Sequence, residues 1–316
     1  MKKNNIFYAL PPRVSKNKER IFEIDYLRGF SVILMVLYHF CFDLHALFRD
    51  FFTFPDCATV PEFIYKLNEL GTAIWTGQEY NDLFIFLQHF FSGLFMFICG
   101  ISCCFSKNNF KRGIQLTYVS VIMTILLDAV SVIAQTQLGI DVNIHIYLGI
   151  LHSLAIGILI YALVSHFSDS YYVTFIASIA LFIMTITITN FDMPTIYSLT
   201  GNPQDYFTYK QPSIVIPNFH LLLLGRAWDG DDYFFPLHTA TLVMMGATFG
   251  KIVYAKRKQL WPKKLISPIG KGIAFLGRHT LESYVVHQVA AFLILYLIVA
   301  PFGAELGGNG NLRCSS

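Results

Sequence analysis

Four ionisable residues share one face of the first long apolar segment, and their types are those used in proton transfer and anion binding. They are Asp25, Arg28, His39 and Asp43. Because a helix advances about 100° per residue, they fall within an arc of roughly 60°. The rest of the segment is apolar or small. Ionisable groups are costly inside a membrane and by default face a bundle interior or a water-filled cavity. We therefore expect this face to line a functional cavity.

The histidine and the second aspartate of this face, His39 and Asp43, are one helical turn apart, so their side chains can touch. A carboxylate beside an imidazole fixes its tautomer and raises its basicity, which suits removal of a proton from a hydroxyl or an amine. His39 is therefore the predicted catalytic base and Asp43 its partner. The alternative is a polar seam between helices, although such seams usually use Ser, Thr or Asn at a lower desolvation cost.

The arginine of this face points to an anionic ligand. Arg28 precedes His39 by roughly 16 Å of helical rise, about half the thickness of a hydrocarbon core. A guanidinium suits a phosphate-bearing donor, and Asp25 can hold it through an i,i+3 contact. Arg278 and His279 are predicted on the same side of the membrane, where they would also bind phosphates. A simple anchoring role at the membrane face is an equal alternative for these two.

Polar and ionisable residues in or beside several other apolar segments predict a cavity between helices. The residues expected to line it are His89, His152, Asp232, His238, Tyr284 and His287. Any single one is as easily a hydrogen-bonded structural group, but their recurrence on separate segments favours a cavity. No Cys and His spacing matches a zinc site, so no metal is expected.

The composition indicates an all-α polytopic membrane bundle. Of 316 residues, 54% are hydrophobic and only 14% are charged, and apolar stretches of about 20 residues, the length that a bilayer requires, recur along the chain. About seven spans are predicted, at 25–47, 82–105, 113–134, 146–167, 171–189, 236–254 and 279–302. The first 24 residues are basic and polar, so no signal peptide is expected.

The distribution of basic residues predicts the orientation. Lysine and arginine are concentrated in the N-terminal tail and in the connections after the second and sixth spans, so the N-terminus is expected in the cytoplasm and the C-terminus outside. The expected organisation is a basic tail at 1–24, a transmembrane domain at 25–303 with outer loops at 48–81 and 190–235, and an outer tail at 304–316. The cytoplasmic membrane is the expected location, with membrane lipid as a partner and no nucleic acid.

Six short sequence motifs are spread over most of the chain. They are Glu23-Ile-Asp25-Tyr-Leu-Arg28-Gly, the run from Leu34 to Phe40 with Asp43-Leu, the run from Gly93 to Ser102, Gly149-Ile-Leu-His152, Asp232-Tyr-Phe-Phe-Pro236, and the run from Leu276 to Gln288. Together they resemble the bacterial relatives of heparan-α-glucosaminide N-acetyltransferase. The spacing of an arginine, ten residues and a histidine is the most specific feature, and it is shared with the wider group of transmembrane acyltransferases.

The resemblance implies transfer of an acyl group, typically acetyl, from cytoplasmic coenzyme A to a sugar acceptor outside. It implies His39 as the catalytic histidine and Arg28 as its partner on the donor side. The lysosomal enzyme of this family is similar in its first span but takes its catalytic histidine from the loop that follows. His45 and His89 are the histidines of that stretch here, and they are the alternatives to His39.

The expected function is therefore acyl transfer from acetyl-CoA or another acyl-CoA to a hydroxyl or amine of a glycan or glycolipid. His39 would either deprotonate the acceptor or carry the acyl group transiently, and the sequence leaves both mechanisms open. A proton-coupled carrier is the alternative from another class, because intramembrane His and Asp also form proton relays, although no inverted repeat supports it. A membrane scaffold without turnover is the third reading.

Overall fold

The computed structural model describes residues 20–50, 52–54, 60–76, 78–137, 146–190, 233–256, 258–262 and 266–306. Of the predicted segments, most of the basic tail at 1–24, most of the outer loop at 190–235 and most of the tail at 304–316 lie outside these residues.

The described residues are almost entirely helical. They form α1 (Phe22–Asp50), α2 (Glu62–Thr76), α3 (Gln78–Cys103), α4 (Asn109–Gln137), α5 (Ile150–Phe167), α6 (Tyr171–Asn190), α7 (Pro236–Val253), α8 (Pro268–Arg278) and α9 (Thr280–Val299). A 3-10 turn, Ala300–Phe302, follows α9. Two short strands, β1 (Phe52–Thr53) and β2 (Glu305–Leu306), pair antiparallel with Phe52 opposite Leu306.

Five helical segments among the described residues are long and apolar enough to cross a membrane. They are Phe22–His45, Phe86–Cys103, Asn109–Gln137, Ile150–Phe167 and Thr280–Phe302. The predicted all-helical, multi-pass character is confirmed at this level. Helices also lie at the other two predicted positions, where α6 is a shorter apolar helix and α7 is not among the five. Seven spans and the orientation of the termini stay predictions.

Large apolar side chains that are exposed occur mainly on α4, α6 and α9. Examples are Ile125 on α4, Ile176 on α6 and Leu297 on α9, each more than 60% exposed. Soluble monomeric proteins rarely expose apolar surface on this scale. These helix faces therefore match a lipid environment.

The chain divides into two compact units, and each is described by itself. The α1 unit contains α1, α2, most of α3, α8, α9 and the two strands. The α5 unit contains α5, α6 and α7, with most of α4 and the end of α3. The residues of the predicted donor and catalytic positions all belong to the α1 unit.

Two glycines set the contact between α1 and α8. A Cβ atom on Gly277 would overlap the backbone carbonyl of Asp25 and the backbone nitrogen of Gly29, and a Cβ atom on Gly29 would overlap the carbonyl of Ile273. The two helices therefore touch backbone to backbone, in the way that small residues allow in membrane helices. Helix α8 begins with Pro268 at its first position, and the Ser267 hydroxyl caps it by accepting from the Gly270 N–H at 3.0 Å.

An apolar cluster closes the opposite end of α1. Phe52, Ile64, Leu295 and Val299 are fully buried, and Leu44 is almost so. They come from β1, α2, α9 and α1, so the end of α9 is fixed against the end of α1. The α1 and α9 helices are thus joined beyond the polar residues that lie between them.

The α5 unit uses the same kind of close contact. A Cβ atom on Gly100 would overlap the Val243 carbonyl, and one on Gly246 would overlap the Phe97 carbonyl. Ala240 and Met244 on α7 are fully buried. Small residues therefore let α7 pack directly on the end of α3.

Substituting Gly277 by Ala should destabilise the α1 unit, because the added methyl meets backbone atoms that cannot rotate away. We expect the free energy of unfolding to fall by about 1–3 kcal/mol, seen as a lower midpoint of thermal unfolding in detergent. The matched control is Gly272→Ala on the same helix, where nothing lies within 4 Å of the new methyl. Equal midpoints for the two variants would contradict the packing described here.

Candidate functional site

Arg28, the arginine predicted to lie on the donor side, is at the α1–α8 contact. Its Nη1 donates to the Gly277 carbonyl at 3.1 Å and lies 3.7 Å from Oδ1 of Asp25. The predicted i,i+3 contact between Asp25 and Arg28 is therefore present, and the two side chains are only 12% and 15% exposed. The Gly277 carbonyl also accepts from the Thr280 hydroxyl at 2.8 Å. Arg28 is thus held where α8 ends and α9 begins.

Glu23 joins the start of α1 to the segment before α8, a role that was not predicted from the sequence. Its side chain is buried within α1, and Oε1 accepts from the Leu260 N–H at 2.6 Å, while the rings of Tyr26 and Trp261 lie 5.3 Å apart. These contacts fix the segment before α8 onto the first turns of α1. The signal available in the sequence was an acidic residue two positions before Asp25, but its partner lies 237 residues further along the chain.

Arg278 and His279 follow Gly277 directly, so the structure brings them to the same end of α1 as Arg28. Both are exposed. The guanidinium of Arg278 lies 5.7 Å from the centre of the Phe275 ring, and His279 Nδ1 lies 3.7 Å from Oε1 of Glu282. Their accessible side chains suit contact with an anionic ligand or with lipid headgroups, which are the two alternatives that the sequence left open.

Two histidines from α1 and α9 meet in the interior of the α1 unit. The ring centres of His39 and His287 are 4.9 Å apart, and the ring planes are inclined at 66°. His39 Nδ1 lies 2.9 Å from the Met35 carbonyl, and His287 Nδ1 lies 2.6 Å from the Tyr284 carbonyl. Because a carbonyl only accepts, each Nδ1 carries its proton, and each Nε2 is the basic nitrogen. Both imidazoles therefore present proton-accepting nitrogens.

The predicted contact between the side chains of His39 and Asp43 is not formed, because each side chain has another partner. Asp43 Oδ1 accepts from Gln288 Nε2 at 2.6 Å, whereas His39 donates to the Met35 carbonyl of its own helix. Helical spacing allows the predicted contact, but the backbone carbonyl one turn before His39 already takes its Nδ1 proton. Asp43 is 1% exposed, and the partner of its carboxylate comes from α9. It therefore joins the two helices rather than orienting His39 directly.

Three buried acceptor atoms lie close to these contacts. Among the described residues, Asp43 Oδ2, Gln288 Oε1 and His287 Nε2 have no hydrogen-bond partner. All three sit in or next to the contacts that join α1 and α9. A buried polar atom without a partner is costly, and these three can be satisfied only by groups that donate hydrogen bonds. We call Asp43, Gln288, His287 and His39 the α1–α9 polar cluster.

The other histidines of the α1 unit lie differently. His89 is exposed on α3, where the Ser92 hydroxyl donates to its carbonyl at 3.2 Å. His45 is half-buried, with Nδ1 3.1 Å from the Thr72 hydroxyl of α2. Tyr284 is half-buried, with its ring 5.6 Å from that of His287. Of these, Tyr284 directly adjoins the polar cluster.

In the α5 unit, His152 is tied to α4. The Thr124 hydroxyl donates to the Ile146 carbonyl at 2.6 Å, so it accepts from His152 Nε2 at 3.2 Å. His152 Nδ1 is buried and has no hydrogen-bond partner among the described residues. His238, another predicted cavity residue, is exposed at the start of α7, and Asp232 lies outside the described residues.

Two separate sequence segments meet beside His152. The Phe234 N–H donates to the Leu148 carbonyl at 2.8 Å, and the Ser153 hydroxyl donates to the Phe234 carbonyl. The residues before α7 are therefore docked on the start of α5. Burial raises the pKa of Tyr233, so its phenol keeps its proton at neutral pH.

Comparison with known families gives one match that covers most of the chain. The family described as heparan-alpha-glucosaminide N-acetyltransferase, catalytic, matches residues 20–51 and 59–289. The matched ranges include α1 and the part of α9 that carries His287 and Gln288. No curated protein and no solved structure matches the chain.

Gln288→Leu should destabilise the α1 unit, because it removes the donor to the buried Asp43 carboxylate and leaves Oδ1 without a partner. We expect a loss of about 2–3 kcal/mol in the free energy of unfolding. Replacing both partners, with Asp43→Leu and Gln288→Leu together, should cost less than the single change, because no buried charge is left.

The measurement for this comparison is thermal unfolding in detergent, with Val289→Leu as the control at an exposed neighbouring position. A double variant that is less stable than Gln288→Leu would show that the hydrogen bond between Asp43 and Gln288 does not govern the packing of α1 on α9.

Proposed function

We propose that this chain, which belongs to the family of the heparan-alpha-glucosaminide N-acetyltransferase catalytic domain, moves an acyl group across a membrane. The family relation and the apolar helices make it a multi-pass membrane protein of a transmembrane acetyltransferase family. The proposal is more specific: acetyl-CoA or another acyl-CoA is the cytoplasmic donor, and a glycan or glycolipid on the other side is the acceptor. The cytoplasmic membrane is its proposed location.

The observation that carries this proposal is the α1–α9 polar cluster. His39 offers a basic Nε2 beside a second imidazole. Three buried acceptor atoms in or next to this cluster have no hydrogen-bond donor within the part of the chain that the structure describes. An acceptor hydroxyl or amine supplies such donors, and its proton must leave as it attacks the thioester. A half-buried imidazole whose Nε2 can accept a proton suits that role as a general base.

The donor side of the proposal rests on the end of α1 that Arg28 occupies. Arg28, Arg278 and His279 lie on neighbouring turns around Gly277, and basic groups suit the phosphates of coenzyme A. His39 follows Arg28 by roughly 16 Å of helical rise. An extended pantetheine arm that starts among these basic residues would carry the thioester toward His39.

In the proposed reaction, the acceptor oxygen or nitrogen attacks the thioester carbonyl carbon while His39 Nε2 takes its proton. The new bond to the acyl carbon forms, the bond from that carbon to sulfur breaks, and His39 returns the proton to the sulfur, so that coenzyme A leaves as its thiol and His39 is neutral again. The hydrogen bond from Nδ1 to the Met35 carbonyl holds the ring and its tautomer. Asp43, held by Gln288, would supply a negative charge on the same face of α1, one helical turn from His39.

Arg28→Ala should weaken binding of acetyl-CoA to the purified protein, because the guanidinium is proposed to meet donor phosphates. We expect at least a tenfold higher dissociation constant in isothermal titration or filter binding, with partial recovery in Arg28→Lys. Lys271→Ala, at an exposed position on α8, is the control and should bind as the wild type does. A carrier or a scaffold would bind no coenzyme A in any of these forms.

His39→Gln should lower acyl transfer by about 100-fold or more, while acetyl-CoA still binds. The measurement is incorporation of a labelled acetyl group into membrane material, with donor binding measured on the same preparations. His45→Gln and His89→Gln are the comparison variants, since these histidines are the alternative catalytic candidates. If either of them abolishes transfer and His39→Gln retains it, the catalytic assignment moves to that histidine while the family function stands.

A further inference from the structure

One aromatic side chain beside the basic end of α1 is exposed, and the proposed reaction gives it no role. Phe275 on α8 is 53% exposed, whereas Gly270, Ala274 and Gly277 of the same helix are buried. The ring of Phe275 therefore lies on a part of α8 that is not packed inside the α1 unit. It offers a flat apolar surface on which another ring can stack.

Two residues of the predicted donor site adjoin this ring directly. The guanidinium carbon of Arg278 lies 5.7 Å from the ring centre of Phe275, and the ring centres of His279 and Phe275 are 4.6 Å apart. The Gly277 carbonyl, which precedes Arg278, accepts a hydrogen bond from Arg28. An aromatic surface, a permanent positive charge and an imidazole thus lie within about one helical turn, next to Arg28. We call Phe275, Arg278 and His279 the Phe275 cluster.

The two ends of coenzyme A differ in the chemistry that would recognise them. The nucleotide end carries an adenine ring and phosphates, whereas the reactive end is the narrow pantetheine arm. Purine and pyrimidine rings stack on aromatic side chains, and a guanidinium suits a phosphate. The Phe275 cluster offers both kinds of contact together, so it matches the nucleotide end. An acyl donor that lacks adenosine would leave the aromatic surface unused.

We propose that Phe275 is the residue on which the adenine ring of coenzyme A stacks, which makes the site selective for donors that carry the nucleotide. The proposal rests on the proposed function, in which Arg28, Arg278 and His279 meet the donor phosphates. Phe275 touches none of the reacting atoms, so it determines specificity and takes no part in the chemistry. With the nucleotide held at this end of α1, the pantetheine arm extends along α1 toward His39.

Contact with lipid is the alternative for an exposed aromatic ring in a membrane protein, since such rings are common at the membrane surface. A ring that only meets lipid would not distinguish a donor with adenosine from one without it. The two roles therefore differ in their effect on a ligand from which the nucleotide has been removed.

The test compares binding of coenzyme A and of 4′-phosphopantetheine, which keeps the arm and one phosphate but lacks adenosine. Binding to the purified protein is measured by isothermal titration in detergent. We expect Phe275→Ala to raise the dissociation constant of coenzyme A about tenfold, the effect of losing one stacked base, and to leave that of 4′-phosphopantetheine unchanged. Phe275→Trp should bind coenzyme A as the wild type does, because an indole ring also stacks.

The matched control is Ile269→Ala, which removes a large apolar side chain that is 78% exposed on another face of α8. This variant should bind both ligands as the wild type does. The ratio of the two dissociation constants is taken within each variant. A partly unfolded preparation changes the number of binding sites and leaves that ratio unaffected.

The possible results separate the role of Phe275 from the proposed function. Unchanged binding of coenzyme A in Phe275→Ala would overturn the proposal and assign the ring to lipid contact. An equal loss for both ligands would also overturn it, because the change would then lie in the packing of α8. In either case binding of coenzyme A by the wild type leaves the proposed function standing. If the wild type binds neither ligand, the donor side of the proposed function fails, and the role of Phe275 fails with it.

Discussion

Burial of charged and hydrogen-bond-accepting groups between α1 and α9 is the constraint on which the site depends. Asp43 is almost fully buried, and its carboxylate accepts a hydrogen bond from Gln288, which lies 245 residues further along the chain on α9. Such groups are tolerated in an apolar environment only when their partners are fixed. The hydrogen bond between Gln288 and Asp43 holds α9 on α1. The acceptor atoms that have no partner among the described residues favour ligands that donate hydrogen bonds.

Both ends of this pair of helices are held by contacts that leave little freedom. At the end that carries Arg28, Gly29 and Gly277 bring α1 and α8 into backbone contact, and Glu23 ties the segment before α8 to α1. At the opposite end, the apolar cluster around Phe52 fixes the last turns of α9. Side chains between two fixed ends are positioned without large rearrangement, which is what catalysis by oriented groups requires.

The helices and the polar face of α1 could be predicted from the sequence, but the hydrogen-bond partners of the residues on that face could not. The spacing of residues along a helix and the length of an apolar segment are local properties of the sequence. They were enough to place Asp25, Arg28, His39 and Asp43 on one face of α1. The partners Gln288, Gly277 and Leu260 lie more than 200 residues away, and nothing local indicates which helix will lie against α1. The error over His39 had another origin: a spacing of four residues allows contact with Asp43, yet it equally allows the backbone carbonyl of Met35 to take the proton.

The hydrogen-bonding state of the two imidazoles also bears on which class of function fits the cluster. A histidine that conducts protons through a membrane accepts at one ring nitrogen and releases from the other. In His39 and His287 the second nitrogen, Nδ1, donates a hydrogen bond to a carbonyl of its own helix. Passage of a proton through either ring would break that bond, which would have to form again before the next proton could pass. Exchange confined to the two Nε2 atoms instead suits local transfer to and from a bound substrate. The geometry that weakens the carrier interpretation is therefore the same geometry that favours acid–base catalysis at this position.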